Sequence, residues 1–516
     1  MRNLRVILAI LLVTMACEPI SERKQPPPSL EQLAADQNLN LSGGQLAKAY
    51  CGSCHIAPDP SVLDRPTWES SVLPDMRMRL GLIIPEDFGR TMPVDMNVPE
   101  GVYSPVPLIT RPNWDKIAEY YLENAPSEPL PQKVKAKPTF GLPIFNVIQP
   151  SFPKSNPDLT TLLAFDEKRG DVYLGHRFKT LFILDPSDGF QVKDSVFIGS
   201  SVVQICFDEE SNGFELLTMG GMDPSNDSLG ILTRYDLHDS SNWESKIIIN
   251  NLMRPVHTTR GDWNSDGVED RVICHFGNHI GKLSMYLSEG NSFREVVLKN
   301  LPGARKSIPV DFDLDGDLDL LVAMTQANEG IVFWENDGTG NFKERQLLGF
   351  QPSFGLSDFS FEDMNGDGLP DIITVNGDNA DQSQILKNYH GVRIFLNRGE
   401  EEFEETWFYP IYGATGLEVA DFDLDGDMDL FTLAFFPDPN QSPSQSLIYF
   451  SQSSSLQFDP FVPKLSTKNK WLTLTKGDLG GDGDLDIVVG EFDFDELYQA
   501  PKDNWQPILI FENEIK

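Results

Sequence analysis

The chain has 516 residues, 40% of them hydrophobic and 23% charged, a globular composition spread over too much chain for one ordinary core, so two or more domains are expected. Its 78 acidic and 41 basic residues leave a formal net charge of -37, which argues against nucleic acid and anionic lipid as main partners, because both would be repelled. Many of the acids recur at fixed spacing, a pattern that points to bound cations rather than to a plain acidic surface.

At the N-terminus, Arg2 and Arg5 precede an apolar run from Val6 to Val13, and the small residue Ala16 stands just before Cys17. The run is too short to span a bilayer and reads as an export signal over residues 1–16. Thr14-Met15-Ala16-Cys17 resembles the lipobox of bacterial lipoproteins. That resemblance implies lipidation of Cys17 and attachment to the bacterial cell envelope, on its periplasmic or cell-surface side; ordinary signal cleavage nearby is the alternative. Residues 17–37, with Pro26-Pro27-Pro28, read as an extended tether.

A small all-α domain is expected over residues 38–126. Its key motif is Cys51-Gly52-Ser53-Cys54-His55: two thiols on one helical turn can both form thioethers to the vinyl groups of a haem, and the adjacent imidazole then serves as proximal iron ligand. A thioredoxin-like pair would follow a strand, whereas Leu46, Ala47, Tyr50 and Cys51 have helical spacing; a zinc site would need a second such pair, and the sequence has none. One covalent haem c is therefore expected. A closing helix is predicted from Asn113 to Asn124, capped by Asn113, with Trp114, Ile117, Ala118, Tyr121 and Leu122 as its apolar stripe and Pro126 as its stop. It resembles the C-terminal helix of class I cytochromes c, which packs across the helix bearing the haem motif. The sixth iron ligand is Met76 or Met96, chosen from Met76, Met78, Met92 and Met96. The run Trp68, Val72, Met76 resembles short cytochrome domains, and Met96 fits the longer spacing of ordinary class I cytochromes; core filling is the alternative role for each. Cys206 and Cys274, each in a strand-like apolar stretch, read as buried free thiols.

Residues 127–140, rich in Pro and Lys, read as a linker. From 141 to 516 the pattern Asp-x-Asp-x-Asp-Gly-x-x-Asp recurs, each time followed by an apolar strand. The candidate ligands are Asp262, Asn264, Asp266 and Asp270; Asp311, Asp313, Asp315 and Asp319; Asp363, Asn365, Asp367 and Asp371; Asp421, Asp423, Asp425 and Asp429; and Asp478, Asp482 and Asp486, where Gly480 replaces one ligand. Alternating oxygens aimed at one centre, with Gly at the sharp turn, predict up to five calcium ions; these are not EF-hands, because the last ligand is an Asp at position nine and a strand follows. Loop starts about 50 residues apart signal propeller blades. Two degenerate copies, around Asp166 and Asp208, bring the number to seven. The last unit stops after its third strand, residues 507–511, and residues 143–149 are predicted to close the ring beside it. These repeats resemble the FG-GAP, or VCBS, family found in integrin α propellers. The loops at Asp311 and Asp421 match that family at every ligand position, and the whole arrangement resembles bacterial VCBS-repeat lipoproteins fused to a cytochrome c.

If the acidic loops share one face, His176, His257, His275, His279 and His390 map to the other, with Arg177, Arg254, Arg305, Lys306 and Lys387; His238 falls on the loop side. The longest loop on that opposite face, Asn376 to Tyr389, contains Asp378, Asn379 and Asp381. His257, Arg254, His390 and Asp378 are the candidates for binding or catalysis there; hydrogen bonding between loops is the alternative. Two functions follow. In the first the chain is a membrane-tethered electron carrier with a redox partner protein, and its propeller binds a protein, a glycan or a small molecule. In the second it is a dehydrogenase with its substrate on that face, although no nicotinamide fingerprint, flavin motif or catalytic triad is present.

Overall fold

Each repeat pairs a mostly apolar run with a more polar one, and the two kinds of strand take different places in a blade. In the computed structural model, Asp171–His176, Gly213–Thr218, Asp270–His275, Asp319–Met324, Asp371–Asn376, Asp429–Ala434 and Asp486–Glu491 are buried at every residue. Each is the second strand of a blade, covered on both faces by neighbouring blades. Gln191–Phe197, a fourth strand, alternates between exposed and half-buried residues, as an outer edge should. The structure describes residues 40–89, 98–152, 156–208, 211–239, 242–380, 384–465, 470–498 and 505–515. Cys17, Met92, Met96 and Asp381 lie outside these residues.

Seven sheets, antiparallel except for one added strand in blade 6, form a seven-bladed propeller: blades 1 to 6 span residues 160–197, 202–252, 255–299, 304–349, 356–410 and 414–462, and blade 7 comprises residues 471–513 plus one strand from before blade 1. First strands line the centre, where Trp471–Gly477 of blade 7 packs against Thr160–Asp166 of blade 1. The added strand is Phe145–Ile148, antiparallel to Ile508–Asn513, with Phe145 opposite Asn513 and Val147 opposite Phe511. Phe145 is buried among Phe422, Phe431, Tyr449 and Phe511, a burial that contributes roughly 2–3 kcal/mol to holding the ring closed.

The helical segment differs from expectation at one end. Its closing helix is Arg111–Asn124, so it begins two residues early; Thr110 is the N-cap residue, Pro112 occupies the first turn, and Asn113 lies inside the helix instead of capping it. Proline fits that turn because its missing N–H would have been unpaired there. Trp114, Ile117 and Tyr121 form the buried stripe. The first helix, Gly43–Tyr50, packs against this one at close range, for a Cβ on Gly43 would collide with the Lys116 carbonyl. Between them a helical path runs through Arg65–Thr67, Trp68–Val72 and Leu73–Arg79. Its middle turn is widened, with the Leu73 N–H reaching the Trp68 carbonyl, just ahead of Pro74, which has no N–H to continue the ladder.

The stretch expected to be a free linker is strapped to the propeller. Lys135 Nζ donates to the Pro410 carbonyl and to Gln445 Oε1 at 2.6 Å, and Tyr409 Oη donates to the Ala136 carbonyl at 2.7 Å. Thr139–Phe140 then pairs in parallel with Gln457–Val462 as a fifth strand of blade 6.

Candidate functional site

Cys51 opens a short 3-10 turn, Cys51–Ser53, directly after the first helix, so Cys51 and Cys54 stand one turn apart. Both are free thiols; Cys51 is half-buried and Cys54 exposed. Burial pushes the Cys51 thiol up, against a hydrogen bond with Tyr121. His55 Nδ1 lies 2.9 Å from the Ile56 carbonyl, which favours the tautomer with its proton on Nδ1 and leaves Nε2 with a lone pair to offer a metal. Two thiols on one turn beside an imidazole so fixed are a donor set that fits a covalent haem. The neighbouring residues are aromatic: Trp68 and Tyr121 pack with ring centroids 4.3 Å apart, tilted by 35°, held by Trp68 Nε1 to the Pro60 carbonyl at 2.9 Å and Tyr121 Oη to the Pro58 carbonyl at 3.0 Å. Met76 is half-buried on Leu73–Arg79.

This segment rests on the propeller. The Asp59 N–H donates to Gln351 Oε1 at 2.8 Å, Tyr389 Oη donates to the Val62 carbonyl at 3.1 Å, and Arg79 meets His279 Nδ1 at 3.3 Å. Ile56, next to His55, covers Gly349, where an added Cβ would meet its Cδ1 at 3.2 Å. All four propeller residues belong to loops, or the strand end beside them, on the face opposite the acidic loops.

The acidic loops join first to second strands. Asp311, Asp313 and Asp315 bring one carboxylate oxygen each within 4.8 Å of one another, and so do Asp421, Asp423 and Asp425. Backbone amides shape four of the loops around their first aspartate: Asp421 accepts from the N–H groups of Asp425 and Gly426, both at 3.0 Å, and Asp478 repeats this with Asp482 and Gly483. In the two loops with Asn at position three, Asn264 donates to Asp266 and Asn365 to Asp367, each at 2.9 Å.

The ninth-position aspartates also have a structural task. Asp319, Asp371, Asp429 and Asp486 each accept two backbone N–H bonds, one from loop position two and one from the end of the third strand, for example Phe312 and Asn336 on Asp319. The amide at that strand end crosses to the preceding blade. Asn336 Nδ2 reaches the Trp263 carbonyl, Gln452 Nε2 that of Met364, and Asn513 Nδ2 that of Phe422.

Charge balance separates the two kinds of blade. In blade 2, Asp208 sits where the first ligand would be and is bound by Arg234 and Arg260; burial works to raise its carboxyl, but hydrogen bonds from Arg234, Ser211 and Arg260 prevail and hold it down at about 2. Blade 1 pairs Asp166 with Arg169 at 3.2 Å. In blades 6 and 7 burial and neighbouring carboxylates push Asp429 up to about 7 and Asp484 up to about 6. Protein cations satisfy the degenerate loops, whereas the complete loops gather carboxylates that repel one another.

Residues 311–374 and 375–432 match the FG-GAP-like repeat family. The chain thus carries FG-GAP-like repeats on a seven-bladed propeller, and the two matched stretches contain the loops at Asp311, Asp363 and Asp421. No curated protein matches the chain.

On the face opposite the FG-GAP-like loops, most candidate residues are committed to the fold. His176 is buried, with Nε2 near the Pro157 carbonyl and Nδ1 accepting from Phe178 N–H. His275 Nδ1 accepts from Met253 N–H at 3.0 Å, so its Nε2 donates to Tyr286 Oη at 3.1 Å, which donates in turn to Glu295. Arg254 donates to the carbonyls of Gly277 and Met222. Arg177 pairs with Asp223 at 2.9 Å, and Lys306 with Asp358 at 2.7 Å. His257 lines the centre beside Ser307, where burial and the charge of Lys306 push it down to about 3. Asp378 accepts from Ala380 N–H. His390 is buried, hydrogen-bonded to the Ser353 backbone, and its Nε2 has no partner. No contact joins His257, Arg254 and His390 to one another among the described residues, and the side chain of His238 lies outside them. Sequence reasoning missed Asp158, Glu491 and Glu496, whose carboxylates come within 4.8 Å of one another, because Asp158 lies 338 residues from Glu496 and nothing in the sequence signals their meeting.

Proposed function

We propose that the chain is an exported, lipid-anchored c-type cytochrome that transfers electrons, with its FG-GAP-like propeller as the platform that binds a redox partner or another ligand. The observation that carries this reading is the cysteine pair with its fixed imidazole on a helical segment braced against the propeller. Cys51 and Cys54 would hold the haem covalently, and His55 with Met76 or Met96 would ligate its iron. A haem so bound supplies reversible one-electron chemistry whose potential a thioether ligand raises. Calcium ions, up to five, would neutralise the acidic loops and hold the blades in register; Cys17 would anchor the chain.

Within this reading the Ile56 carbonyl sets the imidazole of His55, and the Ile56 side chain lies against Gly349, so the propeller supports the ring's position. The carrier is favoured over a dehydrogenase because Arg254 is held by the Gly277 and Met222 carbonyls and His390 is buried. The carrier reading is tested by a spectroelectrochemical titration of protein matured with haem. It predicts one reversible one-electron wave and no haem reduction by added alcohols, aldehydes or sugars. Substrate-dependent reduction would replace the carrier with the dehydrogenase.

A further inference from the structure

A cavity of about 330 Å³ opens at the outer edge of blade 6, on the side opposite the acidic loops. Its floor is Ser446 and Leu447, both buried. One wall is the ring of Phe140, which is 56% exposed, and the rim carries Asn440, Gln441 and Ser444. Each part is held in place by the fold. The strand containing Phe140 is fixed by its parallel register, Phe140 opposite Val462. Asp438 turns the rim loop by accepting from Asn440 N–H at 2.9 Å, and its carbonyl accepts from Gln441 N–H at 3.2 Å. Gln445, between rim and floor, is tied to Lys135 of the strap. The strap that sequence reasoning took for a linker therefore completes this cavity.

The chemistry of the lining is selective. In a chain of net charge -37, none of the described residues that line the cavity carries a charge. An ion bound here would leave water without a counter-charge, and a purely apolar ligand would bury the amides and hydroxyls without partners; both are costly. A volume at the lower end of the ~300–1,000 Å³ range of ligand sites suits one or two small rings. A neutral sugar meets all three conditions: its C–H face packs on an exposed aromatic ring, and its hydroxyls both give and accept hydrogen bonds with amide and serine groups.

We propose that this cavity binds a neutral sugar unit of a glycan, held by stacking on Phe140 and by hydrogen bonds to Gln441, Asn440 and the serine hydroxyls. The proposal rests on the platform reading, for which it names a ligand class, and is independent of the haem. Saturation-transfer NMR on the full chain with cellobiose, maltose, lactose, N-acetylglucosamine and glucuronate as probes tests it. At least one neutral sugar should bind with millimolar or tighter affinity, and glucuronate should bind at least about tenfold more weakly. Phe140→Ala and, separately, Gln441→Ala should each weaken binding about tenfold or more at unchanged melting temperature, while Phe178→Ala, at another exposed ring, leaves it intact. Absence of transfer from every neutral sugar, equal binding of glucuronate, or undiminished transfer in both cavity variants would overturn it. Haem content measured on the same sample separates the two readings: a haem-bearing chain that binds no sugar loses this proposal alone, and a sugar-binding chain without haem loses the cytochrome alone.

Discussion

Neutralising one carboxylate of a complete loop should change stability in opposite directions with and without calcium. In the loop at Asp421, the oxygens of Asp421, Asp423 and Asp425 lie within 4.8 Å of one another. At that distance two unit charges repel by about 0.9 kcal/mol at the dielectric of water and about 3.5 kcal/mol at an effective value of 20. Asp425 is exposed and Asp421 and Asp423 half-buried, so the true figure lies toward the lower end, where salt also screens it. Asp423→Asn removes two of the three repelling pairs, a relief of about 2 kcal/mol in chelator. If the loop binds calcium as proposed, the same change removes a charged ligand, and the stabilisation that binding would give, about 2.7 kcal/mol at a hundredfold excess over Kd, shrinks with the affinity. Thermal melts of wild type and variant in EGTA and in excess calcium make the comparison. The variant should melt higher than wild type in EGTA and lower in calcium. A shift of the same sign in both would refute the argument that these carboxylates await a cation.

Other consequences follow from the packing. Asn336→Leu leaves the carbonyls of Trp263 and Leu318 without their donor and should cost about 2–4 kcal/mol, read as a lower urea midpoint. His275 is neutral in the fold, pushed down to about 3 by burial first and then by Lys282, and its usual value is about 6.5; its stabilising contribution is thus complete above about pH 6.5 and is lost as pH falls toward 3. The melting temperature of His275→Asn should therefore fall less steeply than that of wild type between those values, and parallel curves would count against it. Gly43→Val should force apart the first and closing helices and lower helical content below residue 127 by circular dichroism, while the propeller's strand signal stays.

The propeller was legible because its loops need a fixed order of oxygens and a glycine, and because the buried second strands are mostly apolar runs, such as Leu320-Leu321-Val322-Ala323. The missing fourth strand of the last repeat pointed to Phe145–Ile148, since an open edge must find a partner. Interactions across blades were not legible. Nothing near Asp208 in sequence announces Arg234 or Arg260, and the crossing of Asn336 to Trp263 depends on how two blades stack. The strap escaped for a different reason: two residues, Thr139 and Phe140, carry no periodicity. At Asn113 a good capping residue lost to the Thr110-Arg111-Pro112 start, where proline already suits the first turn. The face opposite the acidic loops holds His176, His275, His279 and His390 at strand ends and in loops while His257 lines the centre, and their partners, mostly backbone groups, could not be read from residue type.

A haem-stained denaturing gel of the chain exported alongside haem-maturation machinery tests most directly whether Cys51 and Cys54 carry a covalent haem. A stained band at full mass is expected that survives denaturation and reducing agent and disappears in the Cys51→Ala, Cys54→Ala double variant, whose propeller still melts with calcium dependence. A wild-type chain that is folded, calcium-responsive and unstained would contradict the haem assignment.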